Sequence, residues 1–306
     1  MMDKYSHAAE LLSAKEIKFT ENELLAPHST FRIGGEARLA AMPDTTEQII
    51  DAVSTAKEAG LDFTVIGNGS NVLFSDKGFD GLVIFTRNAD SVVIKGNRVI
   101  ADAGAPFTKL AVTVKNAGLT GLEFAYGIPG SVGGAVYMNA GAYNGEASQV
   151  VASSMAYDDL TGEVCMISRE EHNFGYRTSV YSQNRDRLTV LSAEFELKEG
   201  DSAAIWETMQ DLMRRRREKQ PLEYPNAGSV FKRPQGYFVG KLITDAGLKG
   251  YTIGGAQVSE KHAGFIVNIG GATAEDVLRL VEHIQKTVQS QFGVMLECEI
   301  NFKGQR

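Results

Sequence analysis

Between Phe124 and Glu146 the chain carries glycines at 127, 130, 133, 134, 141 and 145, and no charge until Glu146. Glycine lets a backbone approach a partner closely and exposes its amides. Such a segment suits a large, partly anionic ligand held by main-chain groups. A tightly packed turn between two buried elements is the competing reading. A second stretch, Gly67-Asn-Gly-Ser-Asn71, makes a nest of donors suited to a diphosphate, with a plain surface turn as its competitor. It is not a dinucleotide fingerprint, because the third glycine is missing and the residues from Val72 onward read as strand, not helix. Nor is it a P-loop, since no Gly-Lys-Ser/Thr comes after it. The five histidines, at 7, 28, 172, 262 and 283, show no ligand spacing, so no metal site is expected. The absence of Gly-x-Ser-x-Gly makes a serine hydrolase a weak reading.

The elements that must position these stretches are legible in outline. Residues 6–26 read as a helix followed by extended chain. Ala37 to Met42 reads as a strand, and Asp44 with Glu47 as a capping box for a helix that Gly60 ends. Phe63 to Ile66 is a buried-type strand running into the 67–71 turn, with strands at Val72 to Phe74 and Leu82 to Phe85. Ser91 to Ala101 is a hairpin about Gly96-Asn97. Pro106 opens a helix that stops at Gly118. Beyond the glycine-rich stretch, Val150 to Tyr157 and Glu163 to Ile167 pair across Asp158 to Gly162. Ser168 with Glu171 predicts a short helix, and Leu188 to Leu197 a strand. A helix over 202–219 carries Arg214 to Arg217 near its C-terminus, where the dipole favours cations. Short elements come next: a strand-like Val-Phe within 227–234, a helix over 236–247 and a strand over 262–269. Thr273 with Asp276 caps a long amphipathic helix, and Val294 to Phe302 reads as the last strand.

With 306 residues the chain has room for two domains. A net charge of −7 without a basic tail argues against nucleic acid as the main partner. No apolar run reaches membrane-spanning length. Met1 to Glu10 is polar, without the apolar core of a signal peptide, which predicts a cytoplasmic protein. Cys165 and Cys298, far apart and each in a strand-like context, read as buried reduced thiols.

Three strings in order, Thr30-Phe-Arg-Ile-Gly-Gly35, Ile66-Gly-Asn-Gly-Ser-Asn-Val-Leu73 and Gly127-Ile-Pro-Gly-Ser-Val-Gly-Gly134 with Asn139-Ala-Gly-Ala-Tyr143, resemble an FAD-binding fold of the vanillyl-alcohol-oxidase type. Adding Tyr176-Arg-Thr-Ser179, Ala227-Gly-Ser-Val-Phe-Lys-Arg-Pro234 and Glu297-Cys-Glu-Ile300, the chain from residue 28 onward resembles the UDP-N-acetylenolpyruvoylglucosamine reductase family. The short link from Tyr176–Ser182 to the Leu188 strand resembles the form lacking an extra substrate-covering loop. The resemblance implies an α+β protein: an FAD-binding domain over 1–199, with subdomains of about 1–88 and 89–199, and an α+β substrate domain over 200–306 whose last strand returns towards the flavin.

It also implies a reaction. NADPH reduces non-covalently bound FAD, and the enolpyruvyl ether of UDP-N-acetylglucosamine is then reduced to UDP-N-acetylmuramate for peptidoglycan synthesis. Arg177 matches the family's catalytic arginine, Ser229 its proton donor and Glu299 its acidic partner at the substrate carboxylate. A planar, permanent cation suits an enolate-like charge. A serine hydroxyl suits only a strongly basic carbon. Glu297 would share a strand face with Glu299, so spacing alone does not separate them. By position, Gly67, Asn68, Gly69, Ser70 and Asn71 take the FAD diphosphate. Ile128, Pro129, Gly130, Ser131, Gly133, Gly134, Asn139, Gly141 and Ala142 line the flavin and ribityl chain through backbone groups. Lys219 and Arg233 are assigned to the UDP diphosphate and Tyr143 to the sugar. No metal, nucleic acid or membrane partner is implied, and a monomer fits. Another flavoprotein of the same fold, oxidising an alcohol or sugar, is the alternative. The lack of His or Cys in 66–73 and 127–145 argues against covalent flavin in these loops.

Overall fold

The computed structural model describes residues 3–184 and 187–305. Two compact units emerge, and neither is continuous in sequence. Unit 1 comprises 1–21, 38–68 and 81–216, and unit 2 comprises 22–37, 69–80 and 217–306. The expected boundary at 199/200 does not coincide with this division. The cause is the helix Ser202–Lys219, whose Ile205 and Met209 are buried in the unit 1 core with Phe107, Phe124 and Phe195. Tyr126 meets Trp206 edge-on at 5.5 Å. Gly127 has a φ of +93°, which favours glycine, and a Cβ there would press on Met213 Sδ at 3.0 Å.

Unit 1 holds two sheets. In the first, of order Lys18–Leu24, Glu36–Met42, Phe79–Phe85, Phe63–Ile66, the last two strands are parallel with Ile66 opposite Phe85. The helix Thr46–Glu58 buries Ile49, Ala52, Val53 and Ala56 in a core shared with Leu39, Leu82 and Ile84. Its cap falls one residue later than expected. Thr45 accepts from the Gln48 N–H, while Asp44 pairs with Lys18 and Asn88. The second sheet is antiparallel, in the order Glu163–Ser168, Val151–Asp158, Leu188–Glu196, Arg98–Asp102, Val92–Lys95. Both predicted hairpins are in it. The expected Ser168–Glu171 box forms both of its bonds, yet closes a turn rather than a helix. Within the glycine-rich stretch an unforeseen helix, Val132–Tyr137, is capped by Ser131 Oγ.

In unit 2 the strands Asn226–Ser229, Phe265–Asn268, Ala256–Val258 and Thr252–Ile253 form an antiparallel sheet. The helix Ala274–Phe292 packs Val277, Leu280, Ile284 and Val288 into a core with Phe31, Val230 and Phe231. Its predicted Thr273–Asp276 box is present, and Asp76 adds two acceptors for the N–H groups of Ala274 and Glu275. The final strand is shorter than expected. Only Asn301–Lys303 is regular, running parallel to Val72–Phe74 with Asn301 opposite Val72. Ahead of it Cys298 makes a single bridge to Phe231. Cys165 and Cys298 are free and half-buried, less sheltered than expected.

Candidate active and cofactor site

In unit 1 the first two residues of the 67–71 motif, Gly67 and Asn68, meet the glycine-rich stretch. Asn68 Nδ2 donates to the Pro129 carbonyl at 3.1 Å. A side chain at Gly67 would overlap Ser131 Oγ. A Cβ at Gly133, Gly141 or Gly145 would likewise come within 3 Å of a neighbour, Ala103, Gly145 O and Phe124 respectively. Much of the glycine content thus serves close packing within the chain, the reading that competed with a ligand cradle. The amides narrow accordingly. Ile128 N–H donates to Ala125 O, Gly133 N–H to Ala103 O, Gly134 N–H to Ser131 Oγ and Asn139 N–H to Val136 O. By contrast, the N–H groups of Asn68, Gly69 and Ser70 donate to no main-chain carbonyl among the described residues. This donor nest fits an anionic diphosphate. Asn71 differs from its neighbours: its Nδ2 donates to Glu299 O at 3.2 Å, and its carbonyl accepts from Asn301 N–H at 3.0 Å.

Asn139 is 2% exposed and ties the glycine-rich stretch to the arginine turn. Its Nδ2 donates to Gly175 O at 3.0 Å, and its Oδ1 accepts from Ser148 N–H at 2.9 Å. Gly175 and Thr178 exchange both backbone bonds, leaving Tyr176-Arg177 as the turn. Arg177 is left-handed, with φ +55°, a strained conformation for a residue with a side chain. Its Nη2 donates to Gly141 O at 3.2 Å. Gly141–Ala142 pairs with Gly145–Glu146 about Tyr143 and Asn144, both at positive φ. Arg216 joins this group. Burial pushes its guanidinium below the ordinary range, the Tyr143 phenol opposes that, and the charge of Arg177 adds to it. The sequence marks Arg216 only as one of four arginines with a helix-end role. Its neighbours Arg214, Arg215 and Arg217 are exposed and it is not. The spacing of Met213 and Arg216 from the buried Met209, in steps of three to four, is the signal that singles it out.

In unit 2 Ser229 closes the strand Asn226–Ser229, after a left-handed Gly228 whose N–H is held by Asn226 Oδ1 at 3.0 Å. Its Oγ donates to Phe231 O at 3.3 Å. Glu299 is on the adjoining segment, with its N–H donating to Val230 O at 2.7 Å. Glu297 is separated from it by partner: its carboxylate takes Lys232 Nζ. His262 was not singled out by sequence. Its Nδ1 accepts from Gly264 N–H at 3.1 Å, and a Cβ on Gly264 would touch the His262 ring on one side and lie 3.7 Å from Ser229 Oγ on the other. Burial pushes this imidazole down, which favours the neutral ring, the form able to accept at Nδ1. Arg233 is exposed, its Cζ stacked 3.9 Å over Phe238 and its Nε donating to Tyr237 O at 3.1 Å. Lys219 ends its helix, and Tyr143 is 36% exposed, open enough for a ligand to reach.

Comparison with known proteins bears on both units. A profile described as an FAD binding domain matches residues 37–167, and one described as the UDP-N-acetylenolpyruvoylglucosamine reductase C-terminal domain matches 220–303. The UDP-N-acetylenolpyruvoylglucosamine reductase of Pediococcus pentosaceus is 49% identical over 292 residues, covering 95% of this chain and 96% of its own. The chain belongs to the UDP-N-acetylenolpyruvoylglucosamine reductase family. The family's Clostridium novyi member is 47% identical over 96% of this chain and 94% of its own. The crystal structure of the Thermus caldophilus reductase superposes with a TM-score of 0.79 at 34% identity, covering 94% of this chain and 98% of that one. A glucooligosaccharide oxidase from Acremonium strictum, at 13% identity and a TM-score of 0.50 over 95% of this chain and 59% of that one, shares the fold alone. The fold is therefore α+β, an FAD-binding fold of the vanillyl-alcohol-oxidase type. The link expected to be short in this form of the family includes Arg185 and Asp186, which lie outside the described residues. No helix among the described residues is long and apolar enough to cross a membrane.

Proposed function

We propose that this protein reduces the enolpyruvyl ether of UDP-N-acetylglucosamine to UDP-N-acetylmuramate at the expense of NADPH, in the cytoplasm, in peptidoglycan precursor synthesis. The observation that carries this reading is 49% identity, over almost the whole of both chains, to a reductase of that name. FAD held by this chain would supply the hydride chemistry, linking NADPH to the methylene carbon of the substrate. The open amides of Asn68 to Ser70 fit its diphosphate. Of the remaining cofactor residues, Asn71 acts mainly by holding the Glu299 segment, and Gly67, Ser131, Gly133 and Asn139 by shaping the cradle.

Arrival of hydride at the methylene leaves an electron pair on the adjacent carbon, delocalised into the carboxylate. Arg177 stabilises that charge through its planar fork. Ser229 gives its Oγ proton to the carbon, which completes the addition of one hydride and one proton across the double bond. Glu299 faces the carboxylate end. Lys219 and Arg233 hold the UDP diphosphate and Tyr143 the sugar. In this reading residues 1–199 serve chiefly the cofactor and 200–306 chiefly the substrate.

Stopped-flow absorbance tests the proposal. Purified protein is expected to be yellow, to bleach with NADPH, and to regain colour when the enolpyruvyl sugar nucleotide is added. Colourless protein that takes up no FAD, or bleached protein that the sugar nucleotide does not reoxidise, would overturn it.

A further inference from the structure

A buried polar cluster behind the arginine turn has no part in the chemistry above. Ser154, on the strand Val151–Asp158, is 2% exposed, and His172 and Tyr181 are fully buried. Ser154 Oγ lies 2.7 Å from His172 Nε2 and 2.7 Å from Tyr181 Oη. A hydroxyl carries one proton and accepts two, so it fits between a phenol that donates and a ring nitrogen that accepts. Burial holds the imidazole neutral and the phenol protonated, the state this chain of bonds requires.

The placement matters more than the bonds. His172 is three residues before Gly175, and Tyr181 three after Thr178, so the two side chains are the feet of the hairpin that carries Arg177. Both feet are fastened to one hydroxyl on an interior strand of the five-stranded sheet, paired on both sides. They are also tied to each other, since Val180 N–H donates to His172 O at 2.7 Å. The His172 ring stacks on Phe174 at 4.6 Å, and Ser179 Oγ donates to Tyr137 O at 2.6 Å. A left-handed arginine is a conformation that persists only where its surroundings over-determine it. At the apex the Arg177 side chain reaches the Gly141 carbonyl, on a short two-residue strand. The feet, by contrast, share a buried anchor on the five-stranded sheet.

We infer that Ser154, His172 and Tyr181 are positioning residues, which pin the two feet of the hairpin so that the Arg177 guanidinium is held in register for the substrate. This role rests on the catalytic assignment of Arg177.

The test compares both half-reactions in Tyr181→Phe, Ser154→Ala, His172→Phe, His172→Gln and Arg177→Lys, with a thermal melt of each. Bleaching by NADPH is expected within twofold of the parent for the folded variants. Reoxidation by the enolpyruvyl sugar nucleotide is expected to slow about tenfold in Tyr181→Phe, Ser154→Ala and His172→Phe. His172→Gln, whose amide can reach Ser154, is expected to restore most of the rate lost in His172→Phe. Adding Tyr181→Phe to Arg177→Lys should cost less than twofold more, because residues that act as one unit are not additive. Equal slowing of both half-reactions, or network variants with the parent's reoxidation rate beside a slow Arg177→Lys, would overturn the inference. A normal Arg177→Lys would instead remove the assignment beneath it. If His172→Phe does not fold, Tyr181→Phe, which keeps the buried ring and loses one oxygen, decides alone.

Discussion

Gly67 and Ser131 are packed so closely that a Cβ on the first would overlap the Oγ of the second. The contact joins the turn after the strand Phe63–Ile66 to the cap of the helix Val132–Tyr137. It explains why both motifs are rich in small residues before any ligand is considered. Gly67→Ala is expected to cost about 1–3 kcal/mol through overpacking and to lower the flavin retained per chain. Ser131→Gly costs only a few tenths of a kcal/mol as a cap change and makes room, so the double variant should melt above Gly67→Ala. Melting by circular dichroism, with the flavin absorbance per chain, checks this, and a double variant no better than the single would disprove the steric account.

Ser229→Ala leaves the strand register and the Val230 bonds to Gly264 and Glu299 in place, since those are main-chain. Flavin bleaching by NADPH should therefore be near normal, with reoxidation by substrate slowed roughly 100-fold or more, about 2.7 kcal/mol in the barrier. Equal loss in both half-reactions would make Ser229 structural.

Asp76 accepts from the N–H groups of Ala274 and Glu275, which start the 19-residue helix Ala274–Phe292. Asp76→Ala should destabilise the protein by about 1–2 kcal/mol, while Asp76→Asn, which keeps an acceptor, recovers much of it. Urea midpoints measure both. No difference between the two variants would count against the capping role.

Burial pushes His172 and His262 below the ordinary value of 6.5. Above that value both folded and unfolded chains carry these rings neutral. As pH falls through it, the unfolded chain binds protons the folded chain refuses, and stability is lost until the folded values are reached. The limiting slope is about 1.4 kcal/mol per pH unit for each ring. The urea midpoint is expected to fall as pH drops below 6.5, and to fall less in His172→Gln. A wild-type profile flat over that window would contradict buried neutral histidines.

Several features were legible because their signals are local. The hairpin over 91–101 comes from a Gly-Asn turn between alternating strands, and the Thr273 box from four consecutive residues. Where a local pattern had a rival, context chose. Thr45 took the cap from Asp44 because Lys18 and Asn88 claim the Asp44 carboxylate. The Ser168–Glu171 box closed a turn because the chain must enter the buried His172 immediately afterwards. The helix Ser202–Lys219 has the bounds its sequence indicates. Its partner was not legible, since the gap at Gly127 that receives Met213 is made by a segment far away in the chain.

The amino-acid order alone determined the family and most of the element types and nominated residues for the candidate site, because motifs and periodicity are properties of neighbours in sequence. Tertiary structure decided which of those residues still have a group to offer. The amides of Ile128 and Gly133 are consumed by Ala125 and Ala103, while among the described residues those of Asn68 to Ser70 donate to no carbonyl of the main chain. Arg216 is drawn against Gly127, within electrostatic reach of Tyr143 and Arg177, while its three neighbouring arginines face water. Ser154 joins His172 to Tyr181 beneath the arginine turn. Hydrogen-bond occupancy and burial depend on which distant segments arrive, and only the folded chain brings them together.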